Sequence, residues 1–178
     1  MLIVNLVDQR DDEKRVGDEY KHLFELLVRT CQPKQKKEKT SLNYLSEKDF
    51  IWFDYHEQYR LIKGLTPEQF IDQKFIQNTQ FSIRQELEQQ HVFTSVHGTT
   101  TSVQKGVFRI NCIDCLDRTN NVQLTLGMVA LVLQLASLKK EVEKNLIDHL
   151  RNMWINNGDH ISRIYTGTGA LGQRSKVI

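Results

Sequence analysis

One short stretch of the chain carries the residue types that a cysteine-dependent phosphatase needs. Cys112 and Arg118 are separated by five residues, and Thr119 follows directly. A loop of this length can curl so that several backbone N–H groups point at one centre. The cysteine sulfur then lies at the floor of the loop, and the arginine serves as a two-pronged phosphate clamp. A thiolate at such a place is expected to have a lowered pKa and to act as a nucleophile. The spacing therefore predicts hydrolysis of phosphate monoesters through a phosphocysteine.

Carboxylic acids near this loop could move the protons that the reaction requires. The leaving alkoxide must be protonated, and a water must later be deprotonated. Asp114 and Asp117 lie inside the loop, whereas Asp54 and Asp159 are candidates from elsewhere in the chain. For each aspartate the alternative is an anchor that accepts hydrogen bonds from backbone amides.

Other interpretations of the cysteine pair explain fewer of these residues. Cys112 and Cys115 could form half of a zinc site, but only Cys31 remains as a further cysteine and the histidines are scattered. A redox pair would leave the aspartates and Arg118 without a role. The loop lacks the glycines and lysine of a nucleotide-binding loop. A buried cysteine pair beside an ordinary salt bridge is the remaining alternative. We therefore expect neither a metal nor another cofactor.

The elements around the loop indicate an α/β fold with a mixed sheet flanked by helices. Runs rich in β-branched and aromatic residues predict strands at 3–7, 50–55, 92–96 and 103–110. Apolar residues at helical spacing predict helices at 18–29, 66–90, 122–138 and 141–154. The loop then lies between a strand and a helix, as in the core of cysteine phosphatases, and the positive end of the helix dipole faces it. Residues 158–172 hold four of the nine glycines and are predicted to be loop-rich.

Composition limits the function further. A length of 178 residues fits one domain, and a net charge of +2 is too small to indicate nucleic-acid binding. A lysine-rich run at 34–39 is interpreted as a solvated loop, with contact to an anionic membrane surface as the alternative. An odd number of cysteines, three, argues against a disulfide framework and favours a reducing, cytoplasmic compartment. The apolar segment 122–138 is too short and too polar to be a transmembrane segment.

Three motifs resemble those of a known family. Residues 109–120, RINCIDCLDRTN, match every fixed position of the Sac-domain phosphoinositide phosphatase pattern, R-x-N-C-x-D-C-L-D-R-T-N. Residues 53–56, FDYH, are similar to the family's F-D-Y/F-H strand end, and residues 157–171 to its N-G-D-x-I-S and Y-x-G-T-x-A-L segment. The last of these segments favours the synaptojanin branch of the family.

The resemblance implies a role for each matching residue. Cys112 would be the nucleophile, Arg118 the phosphate clamp and Thr119 a donor that helps to expel the cysteine. Asp114 and Asp117 would be the acids of the loop. The residues expected to contact substrate are Asn111, Ile113, Cys115, Leu116, Asp54, His56 and Asp159.

The chain is also shorter than a complete Sac domain. Residues 1–178 are therefore interpreted as a single, partial Sac catalytic domain without the family's N-terminal subdomain. The implied function is hydrolysis of phosphatidylinositol phosphates by a cytoplasmic protein peripheral to intracellular or plasma membranes, with missing domains of a longer protein needed. The alternative is a catalytically incomplete fragment that binds phosphoinositides or serves as a scaffold.

Overall fold

The computed structural model describes residues 1–30, 45–60 and 83–171. The first part contains strand β1 (Leu2–Asn5), helix α1 (Asp11–Thr30), a 3-10 turn (Glu47–Asp49), strand β2 (Phe50–Trp52) and helix α2 (Tyr55–Arg60). The second part contains α3 (Ile83–Gln90), β3 (Thr94–Val96), β4 (Thr99–Ser102), β5 (Phe108–Asn111), α4 (Asp117–Ser137) and α5 (Lys144–Thr166). The predicted α/β class is confirmed, and the loop of interest joins β5 to α4.

The central sheet brings three strand ends to one edge. Its strands are parallel in the order β2, β1, β5. Asn5 at the end of β1 pairs with Trp52 on one side and with Asn111 on the other. Residues 2–8 are all buried, as expected for a parallel strand that is covered on both faces. Segments that follow these three strands therefore meet at the same edge of the sheet.

Helices cover the two faces of this sheet. Alternate side chains of a strand point to opposite faces. Ile3 accordingly packs in one apolar cluster with Phe24 and Val28 of α1. Val4 belongs to a second cluster, which contains Val122 of α4. The sheet thus lies between α1 and α4, and the start of α4 is held close to the sheet edge.

Helix α1 begins earlier than predicted. The apolar spacing indicated a start at residue 18, but the helix starts at Asp11. Gly17 is buried in it, and an added Cβ there would overlap the indole of Trp52. A glycine that packs directly against an aromatic ring contributes no apolar side chain to the pattern, so this buried turn was not recognised. Acidic residues in its first turn suit the positive end of the helix dipole.

The predicted strand at 50–55 is too long. β2 ends at Trp52, and α2 begins at Tyr55. The carboxylate of Asp54 accepts a hydrogen bond of 2.9 Å from the Glu57 N–H, in the first turn of α2. A side chain that satisfies an otherwise unpaired N–H favours a helix start over a continued strand.

Helix α5 contradicts the prediction of a loop-rich segment after residue 157. It continues from Lys144 to Thr166 and ends at Gly167, which has a left-handed φ of 76°. Gly158 lies inside the helix, where a Cβ would come within 2.7 Å of the Asn120 amide nitrogen on α4. This glycine allows close packing of two helices and does not mark a turn.

The strands observed after residue 92 also differ from the two predicted at 92–96 and 103–110. β3 pairs antiparallel with β4, whereas β5 joins the central sheet. The single predicted strand at 103–110 therefore starts after β4 and corresponds only in its last part to β5.

The start of the predicted helix at 66–90 and the lysine-rich run at 34–39 lie outside the described residues. Within the described ranges, none of the helices has the length and apolarity required to cross a membrane.

Candidate active site

The loop between β5 and α4 places Cys112 at its floor. The cysteine side chain is only 5% exposed. Its sulfur accepts a hydrogen bond of 3.2 Å from the Thr119 hydroxyl and another of 3.2 Å from the backbone N–H of Cys115. Leu116 at the N-cap of α4 has no side-chain acceptor, so it leaves the first N–H groups of the helix to an anion.

Asn111 connects the start of the loop to the central strand. Its side-chain amide donates a hydrogen bond of 2.8 Å to the Oδ1 of Asn5. Asn5 is completely buried. The bond fixes the end of β5 against the end of β1, which places Asn111 in a supporting position directly before Cys112.

The outer side of the loop faces solvent. Asp114 and Cys115 are exposed, and Ile113 is 49% exposed. Cys115 has a φ of 56°. Such a left-handed conformation is uncommon for a residue other than glycine and is frequent where a site constrains the chain. Asp114 stabilises this turn by accepting a hydrogen bond of 3.1 Å from the Leu116 N–H.

The structure gives the Cys112 thiol a higher pKa than the sequence predicted. Burial is the main cause of the raised pKa. The thiol also donates a hydrogen bond of 3.1 Å to Asp114 Oδ1, which favours the protonated form. Thr119 and Arg118 act in the opposite direction on this pKa, but they do not outweigh burial. Burial and the neighbouring carboxylate therefore favour the protonated form of the Cys112 thiol.

Arg118 is fixed by oxygen atoms from the segment after β1 and from the first turn of α1. Its Nη1 and Nη2 donate hydrogen bonds of 2.8 and 2.9 Å to the two carboxylate oxygens of Glu13. Nη1 also lies 3.3 Å from Asp8 Oδ1 and 3.3 Å from the Leu6 carbonyl oxygen. The bond to Glu13 and the nearby charges of Cys112 and Asp8 raise the pKa of Arg118 despite its burial. The guanidinium is therefore a permanent cation beside the thiol.

His56 is connected to the same network. Its Nδ1 lies 2.9 Å from Asp8 Oδ1. About half of its side chain is exposed. The predicted site residue at the end of the FDYH motif thus shares a carboxylate with Arg118.

Asp54 and Asp159 are held away from the sulfur by other bonds. Asp54 accepts a hydrogen bond of 2.7 Å from the Gln9 N–H in addition to that from Glu57. Asp159 bonds Arg163 Nε at 2.7 Å and the Ala170 N–H at 3.2 Å, and Arg163 is the main cause of its lowered pKa. Of the four aspartates named from the sequence, Asp114 is the one that contacts the Cys112 sulfur, whereas Asp117 begins α4.

A polar cleft of about 310 Å³ lies beside this network. Its lining consists of Gln9, Arg10, Trp52, Phe53, Asp54 and Glu57. The Nη2 of Arg10 is 3.5 Å from Asp8 Oδ2, which places the cleft next to the carboxylate shared by Arg118 and His56.

Sequence reasoning did not identify Asp8 and Glu13. A signal for Asp8 was present, because it directly follows the first buried strand. Polar residues that follow parallel strands meet at one edge of the sheet, where ligands bind in α/β folds. Glu13 gave a weaker signal, since an acid in the first turn of a helix is common for electrostatic reasons alone.

Among residues 1–30, 45–60 and 83–171, no three or more His, Cys, Asp or Glu side chains lie together in a way that could hold a metal ion.

Comparisons with known proteins give several relatives. The synaptojanin of Caenorhabditis elegans is 33% identical over 180 residues, which cover 98% of this chain and 14% of the synaptojanin. The phosphatidylinositide phosphatase SAC2 of Homo sapiens is 35% identical over 177 residues, 96% of this chain and 13% of that protein. Human synaptojanin-1 is 47% identical over 78 residues, or 42% of the chain.

The chain spans about one seventh of the length of the first two curated relatives. No protein-family model matches it, and no solved structure does. The alignments to synaptojanin and SAC2 nevertheless cover nearly all of the chain, and the fold has the predicted α/β class with flanking helices, although its three-stranded central sheet is parallel where a mixed sheet was expected. The chain therefore belongs to the Sac-domain family of phosphoinositide phosphatases, among its synaptojanin-like members.

Proposed function

We propose that the chain carries the phosphate-transfer site of a phosphoinositide phosphatase that works through a phosphocysteine. The observation that carries this proposal is the set of donors around Cys112. Thr119 Oγ1 and the Cys115 N–H both lie 3.2 Å from its sulfur, and the charge of Arg118 favours the thiolate as well. Hydrogen-bond donors at the sulfur stabilise a thiolate. The planar guanidinium of an arginine can donate hydrogen bonds to two phosphate oxygens at once. The name of the SAC2 relatives supplies the substrate class, phosphatidylinositol phosphates.

The first step transfers the phosphoryl group to the protein. The Asp114 carboxylate takes the proton of the Cys112 thiol across their 3.1 Å contact, the resulting thiolate attacks phosphorus, and the bond from phosphorus to the inositol oxygen breaks. Arg118 and the N–H groups at the start of α4 hold the other phosphate oxygens. Asp114 is the proposed donor of the proton that the leaving oxygen takes, because its Oδ1 lies 3.1 Å from the sulfur. Asp117, the second acid of the loop, starts the helix that faces the anion.

The second step regenerates the cysteine. Water attacks the phosphorus of the phosphocysteine, the sulfur–phosphorus bond breaks, and inorganic phosphate leaves. The Asp114 carboxylate takes the proton from water, and the Thr119 hydroxyl donates a hydrogen bond to the departing thiolate. The same aspartate thus serves as acid in one step and as base in the other.

The lipid head group is proposed to reach the loop from its exposed side. Ile113 and Cys115 are exposed on that side, whereas Asn111 bonds Asn5 below the loop and the Leu116 N–H bonds Asp114 within it. His56 and the cleft beside Asp54 are proposed to contact the inositol ring, since both adjoin the Arg118 network. Asp159 retains a structural role next to α4 in this proposal. The protein would act as a peripheral protein at cytoplasmic membrane surfaces.

Phosphate release from lipid vesicles tests the proposal. The 178-residue chain is incubated with vesicles that contain phosphatidylinositol monophosphates, and inorganic phosphate is measured over time. Cys112→Ser should abolish release, whereas Cys31→Ser, which changes a cysteine outside the loop, should retain it. Acid quenching with labelled lipid should trap a phosphoprotein on the wild type and none on Cys112→Ser. Release that is unaffected by Cys112→Ser would contradict the mechanism.

A second candidate function is binding without hydrolysis. The raised pKa of Cys112 favours it, because a protonated thiol is a poor nucleophile. In that case the folded chain would release no phosphate but would sediment with phosphoinositide vesicles. Arg118→Ala would abolish this binding, and Cys112→Ser would leave it unchanged.

A further inference from the structure

We propose that Glu13 is a positioning residue that orients Arg118 for phosphate, an inference that rests on the proposed phosphate site. Glu13 lies in the first turn of α1, 105 positions before Arg118. Its carboxylate oxygens accept hydrogen bonds of 2.8 and 2.9 Å from Nη1 and Nη2 of the guanidinium. Neither the loop motif nor the resemblance pointed to this residue.

The geometry leaves one edge of the guanidinium for a ligand. A guanidinium has five N–H groups in a planar fork, and two of its edges can each hold a pair of oxygens. Glu13 occupies the edge formed by Nη1 and Nη2. The second edge consists of the Nε–H and the remaining Nη2–H, and within the described ranges no acceptor is found at Nε. Glu13 therefore fixes the plane of Arg118 without occupying its second edge.

Glu13 is itself held in place. Its Oε2 accepts a hydrogen bond of 2.8 Å from the Asp8 backbone N–H. The Leu6 carbonyl and the Asp8 carboxylate hold Nη1 from the same side. The Arg118 side chain is only 11% exposed. The hydrogen bond from Arg118 is the main cause of the lowered pKa of Glu13, so its carboxylate is ionised at neutral pH.

Two opposite effects of this carboxylate can be separated by experiment. A positioning residue makes phosphate binding tighter, because the clamp does not have to be ordered when the ligand arrives. A competing carboxylate would occupy the clamp and make phosphate binding weaker. Removal of the Glu13 charge therefore lowers the phosphate affinity in the first case and raises it in the second.

The test measures the affinity of the 178-residue chain for inorganic phosphate by calorimetry. Glu13→Gln should weaken binding about tenfold to hundredfold. Glu13→Asp, which keeps the charge but shortens the side chain, should weaken it by a smaller factor. Glu19→Gln is the matched control, since it makes the same charge change at an exposed position of α1 and should have no effect. Circular dichroism verifies that each variant is folded.

A double-mutant cycle separates positioning from a general structural role. Lysine binds phosphate as a point charge and has no planar fork to orient. In the Arg118→Lys background, Glu13→Gln should therefore change the phosphate affinity much less than in the wild type. Equal factors in both backgrounds would overturn the proposal, and so would a gain in affinity on Glu13→Gln.

The outcome for Glu13 is distinguishable from that for the phosphatase activity. Weaker phosphate binding by Glu13→Gln, in a chain that hydrolyses no lipid, supports the positioning role and contradicts hydrolysis. Cys112-dependent hydrolysis with unchanged phosphate affinity in Glu13→Gln supports the activity and overturns the positioning role. A folded wild-type chain that binds no phosphate overturns both.

Discussion

The Cys112 thiol is subject to opposing influences from its neighbours. Burial and the Asp114 carboxylate raise its pKa, whereas Thr119 and Arg118 lower it. The sequence predicted a lowered pKa because it showed the loop spacing but not the depth of the sulfur or the acceptor beside it. Substitution of each neighbour should therefore change the reactivity of the thiol, and the contact that is lost defines the direction of the change.

Asp114→Asn is expected to make the thiol more reactive and the protein less active. The substitution removes the negative charge and the carboxylate acceptor that favour the protonated thiol, so the pKa of Cys112 should fall. Iodoacetamide at neutral pH should then alkylate Cys112 faster, in a background with Cys31→Ser and Cys115→Ser. Phosphate release should fall about a hundredfold through loss of the proton donor. Slower alkylation would contradict the assigned effect on the pKa.

Thr119→Val should act in the opposite direction on the same thiol. The change keeps the shape of the side chain but removes the hydroxyl that donates to the sulfur at 3.2 Å. Without this donor the pKa of Cys112 should rise further, and the pH profile of alkylation should move to higher pH. Thr125→Val is the control, because its hydroxyl bonds only the Asn121 carbonyl among the described residues. An unchanged profile for Thr119→Val would refute the role of its hydroxyl.

At the scale of the elements, glycines allow two helices to pack closely against side chains of neighbouring elements. Gly17 brings α1 against Trp52, and Gly158 brings α5 against Asn120. Asn120 also donates a hydrogen bond of 3.0 Å to the Trp154 carbonyl, which joins the start of α4 to α5. The first contact places the α1 turn that carries Glu13, and the second supports the helix that carries Arg118.

Gly17→Ala should destabilise the fold although alanine favours a helix. An added methyl would overlap the indole of Trp52, whose Nε1 is held by a hydrogen bond of 2.8 Å to the Val7 carbonyl. Overpacking costs about 1–3 kcal/mol, and the gain in helix propensity is about 1 kcal/mol. We expect a net loss of about 1 kcal/mol in the free energy of unfolding, measured by urea denaturation. The exposed Val16→Ala should change it by less than about 0.5 kcal/mol.

At the scale of the whole molecule, the site connects segments that are distant in the chain. The segment after β1 supplies Asp8 and Glu13, the segment after β2 supplies His56, and the segment after β5 supplies Cys112 and Arg118. A ligand that binds Arg118 should therefore stabilise the molecule as a unit.

Inorganic phosphate is expected to raise the unfolding temperature. At a concentration of about 100 times its Kd, a ligand of the native state adds about 2.7 kcal/mol. For a chain of this size, each kcal/mol corresponds to about 2–4 °C. Differential scanning fluorimetry should show this rise in the wild type and none in Arg118→Ala. Sulfate at matched ionic strength should raise the unfolding temperature by a smaller amount, and potassium chloride should leave it unchanged.

Much of the site was predictable because its chemistry is local. The spacing of Cys112, Arg118 and Thr119 is set within one loop, and a strand before it and a helix after it follow from short-range patterns. These features also carried the family resemblance, which the relatives confirm. The order β2, β1, β5 was not predictable in the same way, because it depends on which buried strands pair.

The sequence by itself determined the α/β class and the family, and it identified the candidate loop from Cys112 to Thr119. The tertiary structure decided which acids surround each reactive group: Asp114 at the sulfur, Glu13 and Asp8 at Arg118, and Asp54 and Asp159 elsewhere. It also decided that Cys112 is buried, which raises the pKa of its thiol. The physical reason is that these contacts arise only when parallel strands bring their ends to one edge. Residues 105 positions apart then lie within 3 Å of each other.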